Sequence, residues 1–197
     1  MVFSSPVFLF LFLPITLLAV WLFGRRGQNI VLLLASLLFY AWGEGTYVLL
    51  MLATILVNHT VAMVMDRSRS PKTWLAIGVT LDLAVLITFK YANFIADSLS
   101  SLLLSLNVAP IRLDPVHLPI GVSFYIFHSI SYLVDIYRGK AKAAQSPTIT
   151  ALYITLFPQL VAGPIVRFHD VAKQFTERVM NTELFADAGR VVPGDKN

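Results

Sequence analysis

Long apolar runs alternate with short polar breaks along this chain, and the length of each run decides what it can be. A bilayer's hydrocarbon core is about 30 Å thick and a helix rises about 1.5 Å per residue, so one crossing needs roughly 20 apolar residues. Six segments approach that length. Val7 to Phe23 is closed by Arg25 and Arg26; it lacks a basic region in front and a small-residue cleavage site behind, so it reads as an uncleaved span. Ile30 to Trp42 is short for a full crossing and is expected to tilt or to end in the interface. Thr46 to Met65 is uncharged, with Asn58 and His59 in its second half, and Trp74 to Phe89 carries Asp82 at its middle. Leu118 to Tyr137 holds His128 near its centre and follows a stretch broken by Pro110 and Pro115. Thr148 to Val166 contains Pro158, Gln159, Gly163 and Pro164, which predicts a broken or re-entrant helix.

Two further stretches have apolar residues at helical spacing but polar residues between them. Phe94, Ile95, Leu99, Leu102, Leu103 and Leu106 form one stripe, and Phe168, Val171, Ala172, Phe175 and Val179 form the other. Both are expected to lie along the membrane surface. Glycine, proline and polar residues replace any periodicity from Gly189 onward. The expected fold is therefore all-α: a polytopic membrane protein with five to six embedded helices plus interfacial amphipathic helices. Residues 1–185 make one membrane domain and 186–197 a polar, divergent or frame-shifted tail.

Composition sharpens this picture. Of 197 residues, 57% are hydrophobic and 13% charged, against roughly 25% charged in a soluble domain. The net charge of +4 is scattered between apolar runs and makes no continuous cationic face, which argues against nucleic acid as a partner. It serves orientation instead. With the amino terminus outside, the inner loops hold Arg25, Arg26, Arg67, Arg69, Lys72, Arg138, Lys140 and Lys142, against Lys90 and Arg112 outside. Arg167, Lys173 and Arg178 fit that scheme only if the sixth segment re-enters. Zero cysteines exclude disulfides and thiolate chemistry. The four histidines sit on separate segments without metal spacing, so no metal site is expected.

Polar residues at membrane depth are the candidate chemistry. An ionised Asp at a span centre costs about 2.5 to 3.5 kcal/mol on insertion scales, so Asp82 needs a partner, a proton or water. His128 has two readings, a proton-transfer group or a neutral, hydrogen-bonded interior histidine. Asn58 and His59 suit bonds between helices. Asp135 and Arg138 lie three apart and can pair at the membrane boundary. The run from Phe157 to Arg167 frees backbone groups that lipid cannot satisfy, so it lines a polar chamber or is a proline kink sheltered by neighbouring helices. Gln159, Gly163, Pro164, Arg167 and His128 are the candidates for lining that chamber. Arg167 suits either a phosphate or carboxylate, or the anchoring of a helix end.

At these residues the sequence resembles the alginate O-acetyltransferase branch of the membrane-bound O-acyltransferases. The resemblance rests on Phe3-Ser4-Ser5, on Ser36 to Gly43 (SLLFYAWG), on Phe89-Lys90-Tyr91, on Pro119 to Gly139 (PIGVSFYIFHSISYLVDIYRG) and on Phe157 to Phe168, in family order from Met1 to about Phe185. His128 stands where relatives usually have Gln, and Asp82 where they usually have Asn. The resemblance implies a multi-pass protein of the bacterial inner membrane with a periplasmic amino terminus. It would pass acetyl groups from a cytoplasmic thioester, acetyl-CoA or another acyl donor, toward a cell-surface polysaccharide such as alginate, with no bound cofactor. Periplasmic polysaccharide acetyltransferase proteins are the implied partners, beside the lipid bilayer. The family's catalytic histidine lies beyond the matched region, so none of the four histidines inherits that role, and the chain is expected to be inactive alone. The competing class is a transporter or non-catalytic scaffold with Asp82 and His128 on a substrate path; the lack of an internal repeat weighs against it.

Overall fold

In a computed structural model the described residues are 5–105, 118–156 and 167–176. They form a π-helical turn, Phe8–Phe12, followed by α1 (Leu13–Glu44), α2 (Tyr47–Arg67), α3 (Pro71–Ser105), α4 (Val122–Tyr137), α5 (Pro147–Thr155) and α6 (Phe168–Thr176). No strand occurs among the described residues, in agreement with the all-α expectation.

The first helix is a hairpin. Gly24 sits at φ 57° and ψ −171°, a backbone region essentially reserved for glycine, and the chain doubles back there. Phe8 consequently packs edge-on against Phe39 at 5.4 Å, with Phe12 against the same ring at 5.7 Å. The two arms are the predicted Val7 to Phe23 and Ile30 to Trp42 segments. A serine and a proline start the third helix as expected of a helix entrance: Thr73 N–H reaches Ser70 O at 3.2 Å and Pro71 occupies the first turn.

Once started, α3 does not stop where the pattern predicted. The expected span Trp74 to Phe89 and the expected surface stretch from Phe94 are one continuous helix of 35 residues. Neither glycine nor proline stands between Lys90 and Phe94, so nothing terminates the ladder. The predicted separate interfacial helix is thus the continuation of α3, within the described part ending at Ser105. Two helices, α2 and α3, are each long and apolar enough to cross a membrane, and Phe8–Gly24 is a shorter apolar helix.

The core lies among α2, α3, α4 and α5, with Tyr40, Leu32, Leu33 and Leu37 of the second α1 arm packed onto it. Gly78 is where three helices come closest: a Cβ there would collide with Leu133 of α4 and press on Val61 of α2. The exterior is apolar, with Phe10 82% and Trp21 73% exposed, while Asn58, Asp82, His128, Ser129 and Thr150 are buried. Successive helices run in opposite directions, so the hairpin bend, the Arg67 to Pro71 turn and the loop after Tyr137 fall at one end. Asp66 accordingly lies within electrostatic reach of Tyr132, late in α4. The basic loops of the sequence pattern share that end.

Candidate functional site

The polar interior is organised by α4. Tyr125, His128, Ser129, Tyr132 and Asp135 recur at helical spacing on its buried face. His128 is fully buried, and its Nδ1 lies 2.8 Å from the Phe124 carbonyl. A carbonyl accepts only, so Nδ1 carries a proton, and in the neutral ring Nε2 keeps a lone pair. That Nε2 has no hydrogen-bond partner among the described residues. The ring packs edge-on against Tyr153 of α5 at 5.6 Å.

Below it runs a chain of bonds. His59 Nδ1 and Thr150 Oγ1 are 2.9 Å apart, the Thr150 hydroxyl donates to Tyr132 Oη at 3.4 Å, and Ala144 N–H donates to the same oxygen at 3.0 Å. The prediction of an interhelical bond for His59 thus finds its partner on α5. That helix is set by Ser146, whose hydroxyl oxygen accepts Thr148 N–H at 3.3 Å, and by Pro147 in its first turn.

Asp82 also finds a helix neighbour. Asn58 Nδ2 donates to Asp82 Oδ1 at 2.7 Å and to Thr54 O at 3.0 Å, both within the buried interior. Of the readings open for Asp82, bonding between helices is the one present. Asp82 Oδ2, Asn58 Oδ1, Tyr40 Oη and Tyr125 Oη remain without partners among the described residues. Tyr125 lies within electrostatic reach of Asp82, and its ring meets Tyr40 at 6.4 Å. The interior can therefore accommodate water or a polar group at several points.

The predicted pairing of Asp135 with Arg138 is replaced by a longer-range one. Arg138 is exposed past the end of α4, whereas Asp135 is buried and turns toward α6. Its Oδ2 accepts His169 Nδ1–H at 3.0 Å and His169 backbone N–H at 3.4 Å. A carboxylate thereby caps the first turn of α6. Phe168 inserts beside it, 4.7 Å from the Tyr132 ring and 5.1 Å from Tyr153. Phe168 and His169 meet Tyr132 and Asp135, near the end of α4 from which the loop to α5 leaves, so residue 168 lies at the end of the bundle at which α5 starts.

Of the predicted chamber-lining residues, Gln159, Gly163 and Pro164 lie outside the described residues, as does the polar tail 186–197. Arg167 is exposed, directly before α6, while His128 is buried in α4. No hydrogen bond joins these two residues. Sequence reading passed over Tyr125, Tyr132, Tyr153 and Thr150; the i, i+3, i+4, i+7 recurrence of hydroxyl and imidazole groups on α4 was the signal that could have found the first two. Among the described residues no group of three His, Cys, Asp or Glu could hold a metal ion.

An apolar exterior around such a polar interior finds its likeness among bacterial O-acetylases and O-acetyltransferases, which the chain resembles in sequence. The alginate O-acetylases are the more similar of these two groups. It is 44% identical to a "Probable alginate O-acetylase AlgI" of Pseudomonas putida over 95% of this chain and 39% of the relative, and 44% identical to the protein of that description in Pseudomonas aeruginosa over 95% and 37%. A "Peptidoglycan O-acetyltransferase" of Helicobacter pylori is 26% identical over 90% of this chain and 39% of its own length. The chain thus spans less than two fifths of the curated relatives it matches. No family model and no solved structure matches it.

Proposed function

We propose that this chain forms the front portion of a membrane O-acetyltransferase. In this reading acetyl passes from a cytoplasmic thioester, acetyl-CoA or a related donor, to a cell-surface polysaccharide such as alginate, with periplasmic acetyltransferase proteins completing the modification. The observation that carries the reading is the 44% identity to alginate O-acetylases along 95% of the chain. The same observation weighs against a transporter or scaffold.

The membrane arrangement we propose has five crossings, supplied by the two arms of α1, α2, α3 and α4, and a sixth segment that enters and leaves on one side. The apolar exterior supports it, as does the bond of His169 to Asp135 at the end where α5 starts. The basic end faces the cytoplasm and the amino terminus the periplasm of a bacterial inner membrane. In this proposal residues 157–166 and His128 border the chamber. In the neutral ring, His128 Nε2, unpartnered among the described residues, accepts a hydrogen bond from a polar substrate group or water in this reading.

The chemical need in the reaction is to take a proton from an acceptor hydroxyl, which is otherwise a poor nucleophile. We assign that base to the remainder of the family's length and not to these histidines. The test is acetyl transfer from labelled acetyl-CoA to an alginate acceptor in membrane vesicles. Transfer is expected from a full-length relative carrying this chain in place of its matching part, and not from this chain alone. A chimera that inserts in the membrane and binds its donor yet transfers nothing would overturn the reading.

A further inference from the structure

We infer that the cleft between the α4–α5 loop and α6 holds the phosphate of an anionic phospholipid headgroup, gripped by Lys140 and Lys142. The cleft has a volume of about 630 Å³. One wall is the loop from Lys140 to Ser146 and the other is the first turn of α6, with Ile149 and Phe168 forming an apolar floor. Both lysines are exposed at its rim, and neither has an ion-pair partner among the described residues. The acids nearby, Asp135 and Asp170, turn to His169, each with an oxygen 3.0 Å from a ring nitrogen. Among the described residues the two ammonium groups are the charges left without a partner at the rim.

Position selects the occupant. The cleft lies where α4 ends, one turn beyond a helix whose outward face carries exposed Phe124 and Phe127, and beside the half-exposed ring of Tyr137. That is the depth at which an embedded helix meets headgroups, where tyrosine rings and lysines concentrate. A free anion would use the two ammonium groups but gain nothing from the apolar floor. A phospholipid places its phosphate at the rim and its glycerol and first methylenes on the half-buried Ile149 and Ala172, so both halves of the cleft are used.

The inference rests on the membrane reading, and the two fail separately. Release of the chain from membranes by alkaline carbonate would defeat that reading; retention without headgroup preference defeats only this one. The test is titration of the purified full chain, in a neutral detergent, with dioctanoyl phosphatidylglycerol or dioctanoyl phosphatidylcholine, followed by tryptophan fluorescence. Phosphatidylglycerol is expected to bind more tightly. K140A/K142A should weaken it about 30-fold, since each lysine near a headgroup is worth about 1 kcal/mol. R67A/R69A removes the same charge from the same end and should change binding less than about threefold, and K140R/K142R should retain it. Ala172→Trp, which fills the cleft with both lysines in place, should abolish the preference. Equal losses in the two alanine pairs, or no preference for the anionic lipid, would overturn the inference. Inorganic phosphate and coenzyme A, added as soluble competitors, are expected to leave the lipid bound. Lysine-dependent displacement by either would overturn the assignment to a lipid.

Discussion

Asp82 illustrates how one carboxylate is accommodated among helices. It is 2% exposed and bonded to a neutral amide, so its worth to the fold depends on what each partner would leave behind. Asn58→Leu removes the donor and leaves the carboxyl group orphaned, at an expected cost of about 1 to 3 kcal/mol. Asp82→Asn keeps an acceptor in place and is expected to cost under about 1 kcal/mol. The double change Asn58→Leu with Asp82→Leu should regain part of the loss, because no polar group is then stranded. Unfolding in detergent across this cycle checks all three, and a double variant weaker than Asn58→Leu alone would contradict the account. That Asp82 needed a partner was legible from its place in an apolar run. Its identity was not, because Asn58 is 24 positions away and only the crossing of α2 and α3 brings it near. Tyr125 and Tyr132 escaped notice for another reason: a tyrosine ring reads as apolar in a periodicity count, while its hydroxyl acts as a polar group.

At the level of elements, glycines set the angles and a carboxylate sets the docking. Gly24→Ala forces an L side chain into the bend of the α1 hairpin and should cost about 1 to 3 kcal/mol, seen as a lower unfolding midpoint with loss of the Phe8 to Phe39 contact. Gly78→Leu gains about 1 kcal/mol of helix propensity but must push Leu133 and Val61 aside. Overpacking costs about 1 to 3 kcal/mol, so a net loss is expected in the same assay. Asp135→Ala removes charged acceptors worth about 1.5 to 3 kcal/mol from the first turn of α6. Its amides should then exchange with deuterium about 10 to 100 times faster, while those of α2 stay unchanged. The hairpin break was readable in the sequence from the Gly and Arg residues between two apolar runs. The length of α3 was misjudged because serines among leucines suggested a change of environment, yet no residue there interrupts a helix. The docking of α6 on Asp135 spans 34 positions, and local spacing had offered Arg138 instead.

For the whole molecule, the shared end of the basic loops makes a sidedness prediction that the chain is well suited to test, since it has no cysteine of its own. Single cysteines at Arg69 and Lys140 are expected to react with a membrane-impermeant maleimide only in inverted vesicles, and cysteines at Gly45 and Ile120 only in intact cells. Reaction of Arg69 and Lys140 positions from opposite faces would break the proposed arrangement. The all-helical class and the order of the apolar runs followed from period and length alone. The site did not, because its polar groups come from α2, α3, α4 and α5 and local spacing does not tell which of these helices meet.

The length of α3 has a further result. Its 35 residues measure about 52 Å, and laying them wholly within 30 Å of hydrocarbon would need a tilt of about 55°, steeper than the 0 to 40° that such helices adopt. In the proposed arrangement its far turns, bearing Ser101 and Ser105, then reach the lipid headgroups opposite the basic loops. Close packing against Leu133 and Val61 at Gly78 holds its near part, while the turns beyond Ala96 are largely exposed and have only the surroundings of the bundle to rest on.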